Sequence, residues 1–279
     1  YLANRFRDPG FRASPADPDV RAFHRTLPGY ATTPLHDLPA LAASLGVGTI
    51  HLKDETDRFG LPAFKALGAA WAAERLRQER GVMPAVLTTA SAGNFGRAVA
   101  WTARRFGVRA VIYLAERCAQ ARIDAILGEG AEVVLVGGSY DDAVRRCAEE
   151  SAARDWQVLS DTGYPGYLDI PAWIQEGYST MLAELDEQLP VGGRPDTVLI
   201  QGGVGGLAAA VVAHARGWGD GVRVTVVEPE DADCLFVSAD SPDGVPTESA
   251  GAQRTIMAGL NCRAASHTAW PTLRAAADG

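Results

Sequence analysis

Twice in this chain an apolar run ends in a glycine-bearing loop and passes at once into a helical pattern. The first case is Ala85 to Thr89, then Ala90-Ser91-Ala92-Gly93-Asn94-Phe95-Gly96, then Arg97 to Phe106. The second is Thr197 to Gln201, then Gly202-Gly203-Val204-Gly205-Gly206, then Leu207 to Arg216. A strand that leads into a helix is followed by a parallel neighbour, because only a long crossover returns the chain in the same direction. Between and after these units the alternation continues. The patterns predict strands at 110–114, 132–136, 157–159 and 223–227, and helices at 65–80, 120–127, 140–155 and 170–188. The fold class is therefore α/β, mostly parallel sheet flanked by helices. Residues 1–34 read as a surface arm, 36–45 as a helix and 47–52 as a short strand. Pro190 to Pro195 reads as a crossing between lobes, and the segment after Asp231 yields no clear assignment.

Composition narrows the partners. A chain of 279 residues, 47% hydrophobic, can bury a full core. Its formal charge of -8 comes without a basic patch, which excludes a nucleic-acid binder and leaves a small molecule as partner. Cys118, Cys147, Cys234 and Cys262 have neither metal-ligand nor disulfide-framework spacing, so no metal is expected. No signal peptide and no apolar run long enough for a bilayer is present, so no membrane association and a cytoplasmic setting are expected. A first residue Tyr1 and a last residue Gly279 suggest a fragment lacking C-terminal sequence.

Of 26 basic residues only Lys53 and Lys65 are lysines. An amine can lose its proton near neutral pH and attack a carbonyl, which guanidinium cannot do. Lys65 opens an alanine-rich helix after a turn-rich run, where desolvation and the helix dipole are expected to lower its pKa. Phe64 before it reads as core or as a cofactor contact. Lys53, Asp54, Glu55 and Arg58 read as a solvated ion network. The loop Gly202, Gly203, Val204, Gly205 and Gly206 suits a phosphate, since its backbone N–H groups and a helix N-terminus face the same point. It equally fits a tight turn, or a dinucleotide site in which 203–208 hold a pyrophosphate and Glu228 a ribose. Ser91, Ala92, Gly93 and Asn94 offer a substrate-carboxylate loop, with Asn94 able to donate to a ring oxygen, or simply a helix cap. Asp161, in a loop after a strand, is a proton acceptor or the head of an Asx-turn.

A phosphate-bearing aldehyde suits an amine nucleophile, a phosphate cradle and an Asn-Gly loop together. Pyridoxal 5'-phosphate is such a compound, its aldehyde taking Lys65 as a Schiff base. The segments 53–55 (Lys-Asp-Glu), 58–61 (Arg-Phe-Gly-Leu), 63–68 (Ala-Phe-Lys-Ala-Leu-Gly) and 93–97 (Gly-Asn-Phe-Gly-Arg) resemble diaminopropionate ammonia-lyases. So do 161–162 with 166–167, 170–174 with 177–181, 203–205, and 255–260 (Thr-Ile-Met-Ala-Gly-Leu), over nearly the whole chain. The resemblance implies a two-lobed fold-type II enzyme, related to the tryptophan-synthase β-subunit, often a homodimer. Its larger lobe would be 1–90 with 191–279, and its smaller lobe 91–190. It implies α,β-elimination from an L-amino acid, first 2,3-diaminopropionate, with Lys65 and Asp161 catalytic. Serine or threonine dehydration and β-replacement share the same cofactor residues. Ala92 stands where the family usually has a carboxylate associated with the D-substrate. The partner of the pyridine nitrogen is expected beyond Gly279.

Overall fold

The computed structural model describes residues 1–279. Within the stretch expected to be an arm lies helix α1 (Pro18–Thr26), which Asp17 caps by accepting from the Asp19 N–H. Only Val20 and His24 are buried on it, too few to give a legible period. Strand β1 (Leu35–Asp37) pairs antiparallel with β2 (His51–Lys53), and α2 (Pro39–Leu45) lies between them. The expected helix at 36–45 thus begins only at Pro39, whose fixed φ suits a first helical residue. The expected strand at 47–52 is confined to the last part of that run and one residue beyond.

Helix α3 (Lys65–Arg80) is followed by β3 (Val86–Ala90), α4 (Asn94–Phe106), β4 (Arg109–Ala115), α5 (Gln120–Leu127), β5 (Glu132–Val136), α6 (Tyr140–Arg154) and β6 (Gln157–Val158). These strands form one parallel sheet in the order β5-β4-β3-β6. The single helix expected over 170–188 is two, α7 (Asp169–Gly177) and α8 (Ser179–Gln188), parted at Tyr178. Strand β7 (Thr197–Gln201), helix α9 (Gly206–Trp218) and strand β8 (Arg223–Val227) give a second parallel pair. The last segment holds α10 (Cys234–Asp240), a 3-10 turn at Ala258–Leu260 and α11 (Trp270–Ala276). Residues 278 and 279 then lie along β8, where the Asp278 N–H donates to the Val224 carbonyl and the Val226 N–H to that of Gly279.

Helix α3 is buried nearly all round because its residues are small. Ala66, Gly68, Ala69, Ala70, Ala72 and Ala73 let α1, α4 and α7 approach from different sides. The approach to α7 is closest: a Cβ on Gly68 would stand 2.6 Å from the Ile174 carbonyl oxygen, and one on Gly177 would stand 2.6 Å from that of Leu67.

Lys53, Glu55 and Arg58 are largely removed from solvent, which corrects the expected solvated network for these three. Arg58 and Glu184 side chains are 0% exposed and form a two-pronged pair, each prong 2.8 Å. Glu55 takes the rest of the guanidinium at 2.9 and 2.6 Å, and Lys53 Nζ donates to Glu184 at 3.0 Å and to the Thr33 carbonyl at 2.8 Å. Asp54 stands apart, accepting from Thr56 and His36. Burial favours the neutral acid at Glu184, but Arg58 and Lys53 outweigh it and hold the carboxyl at about 2. Removing one member leaves an uncompensated buried charge, so Glu184→Ala is expected to lose about 3–5 kcal/mol of unfolding free energy in a urea titration.

His24 ties α1 to α3 and α8. A carbonyl only accepts, so Nε2 donates to the Leu67 oxygen at 2.9 Å and Nδ1 accepts from the Thr180 hydroxyl at 2.7 Å. Burial pushes this ring down to about 3, against a usual 6.5. The unfolded chain therefore binds a proton that the folded chain refuses, and the stability due to His24 is full above pH 6.5 and lost as pH falls towards 3. The stability advantage of wild type over His24→Gln should shrink by roughly 1 kcal/mol per pH unit below pH 6.5. Paired urea titrations at pH 7.0, 6.0 and 5.0 measure it, and a constant difference would contradict it.

Candidate active site

Three loops at the carboxyl ends of parallel strands meet at the first turn of α3. Lys65 is the first residue of that helix, and its Nζ donates to Asp161 Oδ2 at 2.7 Å. The Phe64 and Phe95 rings lie 5.2 and 5.9 Å from Nζ. Phe95 belongs to the first turn of α4, so the loop Ser91, Ala92, Gly93, Asn94 stands beside the amine. A Cβ on Gly96 would collide with the Ser91 carbonyl, which is why that loop can fold so tightly onto its helix. Ser91 does not cap α4; the cap position is Gly93 with no side-chain hydrogen bond, and the Asn94 side chain is exposed.

Asp161 is no Asx-turn, because its carboxylate goes to Lys65. The loop is held instead by Tyr167, whose hydroxyl accepts from the Ser160 N–H at 2.9 Å and donates to the Val158 carbonyl at 3.1 Å. The expected lowering of the Lys65 pKa is also overturned. Burial does push the ammonium down, but the adjacent Asp161 carboxylate outweighs it and holds Lys65 above its ordinary range.

The glycine loop 202–206 joins β7 to α9. Side chains are hard to fit at three of its positions: a Cβ on Gly202 would stand 2.7 Å from Val226, one on Gly203 3.2 Å from Cys262 Sγ, and one on Gly205, where φ is +99, 2.8 Å from Leu273. The N-terminus of α9 has no side-chain cap, so its first N–H groups are free for an anion. The buried Ser266 couples this loop to that of Asp161. Its N–H donates to the Val204 carbonyl, and its hydroxyl accepts from the Gly163 N–H, both at 2.8 Å. Glu228, the ribose ligand of the dinucleotide alternative, is spent elsewhere. Its carboxylate accepts from the Leu235 and Phe236 N–H groups at 2.9 and 2.7 Å, and burial pushes it up to about 7.

Two contributors escaped the sequence. One is Ser266, in the segment without assignment. The other is Tyr178, 1% exposed, whose ring meets Phe64 edge-on with centroids 5.0 Å apart and whose hydroxyl has no hydrogen-bond partner.

The family model for pyridoxal-phosphate dependent enzymes matches residues 26–279. Diaminopropionate ammonia-lyase of Salmonella typhimurium is 38% identical over 280 residues, spanning 92% of this chain and 69% of that protein. The chain belongs to the diaminopropionate ammonia-lyase family of pyridoxal-phosphate-dependent enzymes. The Escherichia coli relative is 39% identical over 275 residues, 91% of this chain and 68% of its own. A crystal structure of the E. coli lyase with an aminoacrylate-PLP azomethine reaction intermediate superposes with TM-score 0.89 at 37% identity, covering 99% of this chain and 74% of that one. The enzyme is thus a fold-type II lyase that uses pyridoxal phosphate, which removes the dinucleotide alternative.

The residues present fit that cofactor. An amine stands at a helix start between two aromatic rings, a backbone cradle excludes side chains, and a buried phenol lacks a partner. Lys65 can hold the aldehyde carbon and loop 202–206 the phosphate. With two lysines in the chain, the Lys65–Asp161 coupling is directly measurable. Asp161→Asn should lower the Lys65 pKa, so the lysine NMR signal of reductively methylated protein titrates at lower pH; an unmoved titration would deny the coupling.

Proposed function

We propose that the enzyme eliminates ammonia from L-2,3-diaminopropionate and that water then hydrolyses the product, giving pyruvate and two ammonia per substrate. The observation that most supports this is the 2.7 Å Lys65–Asp161 pair, in a chain 38% identical to a diaminopropionate ammonia-lyase. Pyridoxal phosphate, when bound, supplies a carbonyl carbon for the amine and an electron sink for charge left at a substrate Cα. The chain does the rest. Of the loop expected to hold phosphate, Gly203, Val204, Gly205 and Gly206 bind it, the Gly202 N–H being taken by the Val227 carbonyl at 2.8 Å, and Phe64 packs beside the ring. Ser91, Ala92, Gly93 and Asn94 receive the substrate carboxylate, with Asn94 also donating to the ring oxygen. Asp161 takes the proton from Lys65 Nζ, which otherwise stays charged, and once it has given that proton up to solvent its carboxylate serves as the base for the Cα proton. Ala92 brings no second carboxylate, so the proposed substrate is the L-isomer.

We assign the smaller lobe to 91–190 and the larger to 1–90 with 191–279, the sheet of the smaller lobe also taking in β3 from just before that boundary. A homodimer in the cytoplasm completes the proposal; no helix is long and apolar enough to cross a membrane. Light scattering tests the dimer. For the reaction, the cofactor-loaded protein should release pyruvate and ammonia in a ratio of one to two from L-diaminopropionate, with little turnover of the D-isomer. Formation of pyruvate from L-serine or 2-oxobutyrate from L-threonine, with one ammonia each, in its place would reassign it as a dehydratase. Lys65→Ala should abolish turnover, and Asp161→Asn should slow Cα-proton exchange by roughly 10² or more while leaving borohydride labelling of Lys65 intact. Unchanged exchange would remove Asp161 as the base.

A further inference from the structure

The hydroxyl of Tyr178 is the buried polar group in the site that the proposed reaction leaves without a task. Tyr178 is the hinge between α7 and α8, and it is 1% exposed. One edge of its ring reaches α3, where Cε1 lies 2.8 Å from where a Cβ on Gly68 would stand. The other edge reaches the first turn of α9, where Cε2 lies 3.9 Å from the same construction on Gly206. The hydroxyl, carried between these two ring carbons, therefore sits between the Lys65 turn and the uncapped N-terminus of α9, with no hydrogen-bond partner. A buried hydroxyl in that state is costly, and a phenylalanine would avoid the cost.

We propose that Tyr178 is a cofactor-binding residue whose hydroxyl donates to a phosphate oxygen held at the N-terminus of α9. The proposal rests on the assignment of loop 202–206 to phosphate and adds a side-chain donor to a cradle otherwise made of backbone. The alternatives on the protein are poor. Lys65 Nζ can donate to the phenol oxygen, but as an ammonium it accepts nothing, and Asp161 is already engaged by it, so the phenol proton has no acceptor there. Burial pushes Tyr178 up to about 12, so the phenol keeps its proton and remains a donor at neutral pH. A phosphate anion is rich in acceptors, and an α9 N-terminus with free N–H groups is where such an anion binds.

The test compares Tyr178→Phe with wild type, using full-length protein freed of cofactor and titrated with pyridoxal phosphate or with pyridoxal, which has the same aldehyde and no phosphate. Wild type should prefer pyridoxal phosphate strongly. In Tyr178→Phe that preference should fall about tenfold or more, as expected for a lost hydrogen bond to a charged group, with pyridoxal affinity unchanged. The melting temperature of the unloaded variant should equal or exceed that of wild type, since an unmatched hydroxyl has been removed. The 31P resonance of bound cofactor, a reading independent of turnover, should also shift. An unchanged preference with an unshifted 31P signal overturns the role of Tyr178 while sparing the cradle. Equal weakening of both ligands also overturns it, showing that Tyr178 acts through Lys65. A wild type without preference for the phosphorylated form would instead sink the cradle assignment itself.

Discussion

The contact on which the site depends has no side chain in it. Helices α3 and α7 meet backbone to backbone at Gly68 and Gly177, so closely that a Cβ on Gly177 would stand 2.8 Å from the Gly68 Cα. Helix α3 begins with Lys65, and α7 follows the Asp161 loop and ends beside Tyr178. Setting the distance between the two helices therefore sets the distances among amine, carboxylate and phenol. A larger residue at either glycine would push the helices apart by more than a hydrogen bond tolerates.

A glycine seam permits approach without enforcing it, and the clamp comes from the other side of α3. His24 joins the Leu67 carbonyl, on the turn next to the seam, to Thr180 at the start of α8. The Arg58–Glu184 pair fastens α8 to the stretch that leads into Lys65, while Lys53 and Glu55 balance the remaining charge. Such an arrangement contributes modest net stability compared with apolar residues of the same size, because desolvation offsets most of the attraction. Its fixed geometry is what it offers: a planar guanidinium with two carboxylates permits little sliding.

What could be read from the sequence follows from where each signal resides. The two glycine loops are backbone features and show in the sequence directly. Lys65 was legible because the chain otherwise uses arginine, and Asp161 because a strand delivers it to the sheet edge. The Arg58–Glu184 pair joins residues 126 positions apart. Reading neighbours alone, Arg58 seemed to face only Asp54 and Glu55, and the cluster looked solvated. Tyr178 was hidden in a segment with a continuous helical pattern, and the lack of a partner for its hydroxyl exists only in three dimensions. Helix α1 was missed because two buried positions make no period. Ser266 was missed because the chain after Asp231 is organised by its contacts with other loops.

The expected direction of the Lys65 pKa failed on magnitude. A helix N-terminus is worth about 0.3–1 kcal/mol to a nearby charge. A carboxylate at 2.7 Å in a partly screened site is worth several kcal/mol. The carboxylate wins, and the amine rests as an ammonium. This choice has a consequence for the proposed chemistry. A neutral amine at rest would react with any carbonyl compound that enters, whereas an ion pair must pass its proton along before Lys65 can attack. Because Asp161 is both the partner that keeps the proton on Nζ and the nearest acceptor for it, activation of the amine protonates the carboxylate, and Asp161 must release that proton before it can act as a base near Cα, so one hydrogen bond sets the order of the two events.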